Sequence, residues 1–142
     1  MSEINLNSLP VLLVDDEVRI LYSFRVMLKS AGIKNIVTLD DSRKVMPFLS
    51  ENRAALVVLD LSMPYISGIE ILVKINSDYP EIPVIIVTAT NELATAVECM
   101  KSGAYDYLLK PVEKNRLISA IKKTLEIGDL KNEVSSLKHY LL

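Results

Sequence analysis

The chain has 142 residues and a mass of 15.9 kDa; 50% of its residues are apolar, 24% are charged, and sixteen basic against eighteen acidic side chains leave a formal charge of −2. That length suits one compact domain with a short appendage, and the charge balance argues against direct nucleic-acid binding. No apolar run approaches the ~20 residues of a membrane span, and the first ten residues lack the basic start and apolar stretch of a secretory signal. One cysteine, Cys99, excludes an internal disulfide, and one histidine, His139, excludes most zinc chemistry. The expectation is a cytoplasmic globular domain.

Val11–Val14 is a continuous apolar run ending at Asp15-Asp16, the pattern of a strand covered on both faces. Val18, Leu21, Tyr22, Met27 and Leu28, with Phe24 partly in line, then recur at helical spacing, and Gly32 supplies the C-terminal stop. Ile36–Leu39 reads as a second strand. Ser42 is the expected cap of a helix carrying Val45, Met46, Phe48 and Leu49, with Pro47 distorting an early turn. Leu56–Leu59 is a third strand, ending at Asp60. Ile69, Leu72, Val73 and Ile75 mark a helix that stops before Tyr79-Pro80, and Val84–Val87 is a fourth strand ending at Thr88. Leu93, Val97 and Met100 mark a helix closed by Gly103, with Cys99 as a small packing residue. Tyr105–Leu109 is a shorter fifth strand, ending at Lys110-Pro111, and a last helix runs from about Val112 through Leu125.

Five strands, each followed by a helix, predict an α/β fold: a doubly wound five-stranded parallel sheet with helices on both faces. In such sheets ligands bind outside the carboxyl ends of the strands, where this sequence places Asp15, Asp16, Asp60, Thr88 and Lys110. Converging carboxylates repel one another unless a cation separates them. An all-oxygen donor set selects a hard ion, and an open site with few ligands suits Mg²⁺ better than Ca²⁺. With the Lys110 ammonium and the Thr88 hydroxyl, the ion would make a cradle for a phosphoryl group. The carboxylate at its centre, expected to be Asp60, would then be the nucleophile that forms an acyl phosphate.

These residues resemble the receiver domain of two-component response regulators, over Leu9 to about Ile127. The motifs are Val-Asp-Asp-Glu at 14–17, Asp-Leu-Ser-Met-Pro with Gly68 at 60–68, Val-Thr-Ala at 87–89, Gly-Ala-Tyr-Asp-Tyr at 103–107 and Lys-Pro at 110–111. Each is weak alone; five in order, each at a strand end, are specific. The resemblance implies that Asp60 accepts phosphate from a sensor histidine kinase. It also implies that Asp15, Asp16, Asp60 and the Ser62 carbonyl hold Mg²⁺, and that Lys110, Thr88 and the amides of Ser62 and Ala89 hold the phosphoryl oxygens. Lys110-Pro111 is expected to be cis. Thr88 and Tyr107 match a switch pair acting on the surface of the fourth helix, fifth strand and fifth helix. Ser62 and Thr90 stand where the family tunes phosphoryl lifetime. Such a domain is not an enzyme beyond its own phosphotransfer and autodephosphorylation.

Two other readings, an enzyme and a carrier, fit these residues less well. A haloacid-dehalogenase-type phosphatase resembles Asp-x-Asp, but the second acid is replaced here by Ser62. A flavodoxin-like carrier needs a phosphate loop after the first strand, where Asp15-Asp16-Glu17 would repel its ligand. Beyond the domain, Ile127, Leu130, Val134, Leu137 and Leu141 form a seam spaced 3, 4, 3, 4, displaced from the 118/121/125 stripe by about 100°. The expected division is a receiver over 1–127 and a helical linker over 128–142 that pairs two copies, even though Gly128 weakens it. Extended last helices of this kind resemble those of regulators in which a receiver precedes an AAA+ ATPase of the sigma-54-dependent type, whose output domain is absent from this chain.

Overall fold

The computed structural model describes the backbone of residues 9–141 and the side chains of residues 9–128. The chain alternates β1 (Val11–Val14), α1 (Val18–Ser30), β2 (Ile36–Leu39), α2 (Val45–Glu51), β3 (Leu56–Leu59), α3 (Gly68–Asp78), β4 (Val84–Thr88), α4 (Leu93–Lys101), β5 (Asp106–Leu109) and α5 (Lys114–Leu141), with a 3-10 turn at Ser42–Lys44 before α2. All ladders are parallel and the strand order is β2-β1-β3-β4-β5. The winding therefore reverses between β1 and β3. Val14 pairs with Leu59 there, so Asp15 and Asp60 leave neighbouring strands at one level.

Strand side chains alternate between two apolar layers, as the period of two requires. Leu12, Val14, Val57, Leu59, Val84 and Ile86 face α2 and α3, whereas Val11, Leu13, Leu56, Val58, Ile85 and Val87 face α1 and α5. Because helices cover both faces, β1, β3 and β4 are buried throughout, which is why they read as unbroken apolar runs. Gly32 and Gly103 lie in the left-handed region (φ +88 and +106), where other residues are strained, and so close α1 and α4.

Several expectations need correction. Ser42 does not cap α2: the cap of the 3-10 turn is Asp41, whose carboxylate accepts from the Arg43 amide at 2.9 Å, and Ser42 is buried beneath a distant loop. Pro47 lies in the first turn of α2, where its missing N–H costs no helical bond; the irregularity precedes it. Val18 and Tyr22 face solvent on α1, and the core positions are Leu21, Phe24 and Leu28. Likewise Leu93, Val97 and Met100 are exposed on α4, which buries only Cys99. Helical spacing identifies a stripe without saying which stripe meets the sheet. β5 begins at Asp106, and α5 is one helix from Lys114 to Leu141, packing Leu117, Ile118 and Ile121 on the core. The side chains of Leu130, Val134, Leu137, His139 and Leu141 lie outside the described residues.

Candidate functional site

The polar cluster sits where the strand order reverses. Asp15 and Asp60 are 3% and 5% exposed, and Asp16 beside them is open to solvent. Carboxylate oxygens of the three lie within 4.8 Å of one another. Lys110 reaches in from the end of β5: its Nζ donates to Asp15 Oδ2 at 2.7 Å and lies 3.4 Å from Asp60 Oδ1 and 3.8 Å from Glu17 Oε1. The peptide bond after it, Lys110-Pro111, is cis. Asp15 Oδ1 also accepts from the Glu17 amide at 2.9 Å. Both Asp15 oxygens are thus engaged, while Asp16 makes no such bond among the described residues.

The electrostatics follow from that crowding. Burial, reinforced by the Asp15 charge and only partly offset by Lys110, pushes the Asp60 carboxyl up to about 6. Burial works against the Lys110 ammonium, but the hydrogen bond and charge of Asp15, with Asp60 behind them, raise it above an ordinary lysine. Three carboxylates against one ammonium leave two surplus negative charges in a largely buried all-oxygen site. A hard divalent cation of the Mg²⁺ type fits that donor set and that deficit.

Across the site, Thr88 ends β4 fully buried, and its Oγ1 accepts from the Thr90 amide at 3.2 Å. The Tyr107 hydroxyl on β5 donates to the Thr90 carbonyl at 2.8 Å, with its ring packed against the apolar layer that Cys99 of α4 joins. Thr88 and Tyr107 are thereby joined through one residue, Thr90, whose backbone role has no signal in the sequence. Ser62 and Ala89 occupy exposed positions just past Asp60 and Thr88, in the turns that follow β3 and β4. Glu17 was legible only as part of an acidic run. Its approach to Lys110 depends on β1 and β5 ending on one rim, although they are not adjacent strands.

The fold and this strand-end cluster define an α/β domain with an acidic site where the winding of its sheet reverses, and comparison with known proteins names its class. The family model of the response regulator receiver domain matches residues 11–122. The chain belongs to that family: it is a receiver domain of two-component response regulators, a typically non-enzymatic class of signalling domain. It is similar to the C4-dicarboxylate transport transcriptional regulatory protein DctD of Pseudomonas aeruginosa, at 34% identity over 90% of this chain and 28% of that protein. It is also similar to a putative NtrX-like response regulator of Rickettsia felis, at 36% identity over 94% of this chain and 28% of that protein. Among solved structures, NtrX of Brucella abortus superposes with a TM-score of 0.83 at 32% identity, covering 91% of this chain and 29% of that one. A CheY-like receiver from Methanospirillum hungatei gives 0.81 at 26% identity, covering 86% and 97%. The chain therefore spans under a third of the length of the curated relatives it matches. No helix among the described residues is long and apolar enough to cross a membrane.

Proposed function

We propose that this receiver takes a phosphoryl group from a sensor histidine kinase onto Asp60 and passes the change to an output domain. The observation that carries the reading is the buried Asp60 carboxylate, with Asp15, Asp16 and Lys110 gathered around it. An Asp60 oxygen would attack the phosphorus of the donor's phosphohistidine. The O–P bond forms, the P–N bond breaks, and the released imidazole takes up a proton. At neutral pH Asp60 is ionised, yet its charge is poorly solvated, which favours attack. Asp15, Asp16, Asp60 and the Ser62 carbonyl would hold Mg²⁺, which when bound offsets the charge of the incoming oxygens. Lys110 would shift from Asp15 toward the phosphoryl oxygens, and Thr88 and the amides of Ser62 and Ala89 would donate to them.

Drawing the Thr88 hydroxyl to phosphate would break its bond with the Thr90 amide, and through Thr90 disturb the Tyr107 hydroxyl bond. The surface so altered carries exposed Leu93, Val97, Met100 and Leu109, an apolar face suited to relay. The domain is read as cytoplasmic, with a receiver over 1–127 and a linker over 128–142. The linker is read as pairing two copies through Ile127, Leu130, Val134, Leu137 and Leu141. Continuity of α5 to Leu141 supports a stiff connection, and the transcriptional regulators it resembles support an output domain of the AAA+ activator kind.

The test is incubation with phosphoramidate, with and without Mg²⁺, and mapping by mass spectrometry. Modification of Asp60 alone, dependent on the cation and lost in Asp60→Asn, is expected. Equal modification of Asp60→Asn would overturn the assignment.

A further inference from the structure

The segment between β3 and α3 carries Ser62, and its shape is held from outside the site. Tyr65 within it is the one non-glycine residue with a positive φ among the described residues, at +74, a conformation that disfavours bulky side chains. Such a residue persists only where its surroundings over-determine it. Here the turn is closed by its own backbone, the Ile66 amide donating to the Pro64 carbonyl at 3.0 Å, and it is braced by Ser42, from the 3-10 turn more than twenty positions earlier. Its hydroxyl is buried at 2% exposure, donates to the Pro64 carbonyl at 2.6 Å and accepts from the Ile66 amide at 3.0 Å. One side chain thus holds the peptide groups on both sides of Tyr65.

A second contact works from the solvent side. The Arg43 guanidinium lies 3.7 Å from the Tyr65 ring centroid, and Asp41 orients it through two bonds of 2.8 and 3.0 Å. At its other end the loop is closed by the Gly68 amide, which donates to the Leu61 carbonyl at 3.0 Å; a Cβ on Gly68 would collide with the Asp60 carbonyl. The segment is therefore tied at Asp60–Leu61, at Pro64 and Ile66, and at Tyr65.

We infer that Ser42 is a positioning residue for phosphoryl acceptance at Asp60, acting by fixing the β3–α3 segment from which Ser62 meets metal and phosphate, with Arg43 as its outer support. This rests on the phosphoacceptor reading above. Ser42 touches none of Asp15, Asp16, Asp60 or Lys110; its effect travels only through the segment.

Three variants of the full chain test it: Ser42→Ala, Ser42→Thr, which keeps the hydroxyl, and Arg43→Ala, an exposed position whose loss leaves the core intact. The readouts are the rate of Asp60 modification by phosphoramidate with Mg²⁺ and amide hydrogen exchange of the metal-free protein. Ser42→Ala is expected to slow modification about tenfold and to speed exchange at Ile66 and its neighbours, leaving the β1 and β4 amides unchanged. Ser42→Thr should recover most of the rate, and Arg43→Ala should lose about twofold to threefold. Faster Ile66 exchange with an unchanged rate would overturn the inference. So would a wild-type rate in Arg43→Ala together with exchange raised across the whole domain in Ser42→Ala. If the wild-type chain is not modified on Asp60, the phosphoacceptor reading fails instead; wild-type exchange at Ile66 in Ser42→Ala would then remove the clamp as well.

Discussion

α3 and α4 stand side by side in chain order, each entered from a strand end that carries a site residue, yet they are attached very differently. α3 buries Ile71, Leu72 and Ile75, and the Ser67 hydroxyl caps it by accepting from the Glu70 amide at 3.3 Å. The segment leading into it is tied by Ser42, Arg43 and Gly68. α4 buries one residue, Cys99, and has no side-chain cap at Glu92. Among the described side chains, the turn before it hangs on the Thr88 and Tyr107 hydroxyls alone. One side of the site is built as a fixed wall and the other as a loosely hung one. Low-stability elements are where proteins move, so the asymmetry supports the proposed relay through α4.

The sharpest contrast comes from truncating a side chain on each helix. Ile75→Ala should lower stability by about 2–5 kcal/mol, the range for deleting a fully buried side chain, whereas Val97→Ala should change it by less than about 0.5 kcal/mol. Paired chemical denaturation curves measure both; equal losses would abolish the distinction. Next in size is the charge held on the fixed wall. The Asp60 carboxyl sits near 6 folded against 3.8 for an ordinary aspartate, so between those values the native state binds more protons than the unfolded chain. Stability of the metal-free protein should therefore fall as pH rises through that window and level off above it. Asp60→Asn should remove the dependence and gain about 1–3 kcal/mol at pH 8, with little gain near pH 4. Mg²⁺ should narrow the gap by stabilising the wild type alone; a gap unchanged by the cation would argue against the acidic cluster as its site.

The smallest effect concerns the hanging side. Tyr107→Phe removes one hydrogen bond, to the Thr90 carbonyl, at a cost of about 0.5–1.5 kcal/mol. Exchange should quicken in residues 89–93 and the start of α4, with α3 amides unmoved and Asp60 still modified by phosphoramidate. Loosening that spread equally into α3 would show that the two helices are one unit.

The sequence made parts of this asymmetry readable and hid others for identifiable reasons. β1, β3 and β4 were plain because both of their faces are covered, so composition alone marks them. Asp15, Asp60, Thr88 and Lys110 were plain because the rule for parallel sheets sends strand-end residues to one rim. Cys99 was readable as the packing residue of α4 and is buried, whereas the spacing of Leu93, Val97 and Met100 marks the helix without saying that they face solvent. Ser42 was misread as a local cap because its partners, Pro64 and Ile66, lie far along the chain, and a serine before a helix has a familiar local explanation. The left-handed Tyr65 carries no glycine or asparagine to announce it. Local patterns are legible where the cause is local.

β5 lies at the edge of the sheet, and its consecutive side chains divide between the two layers: Tyr107 packs into the layer that Cys99 of α4 joins, Leu108 toward α1 and α5. A displacement of Tyr107 therefore needs no passage through the buried middle of the sheet to reach the long C-terminal helix. It crosses at the rim, over a single peptide unit, into the layer where Leu117 and Ile121 of α5 are seated. Arg116 on the same helix stands 3.4 Å from Asp106 at the start of that strand. For the proposed relay, the edge strand would be a short axle between an aromatic ring and the helix that runs on to Leu141.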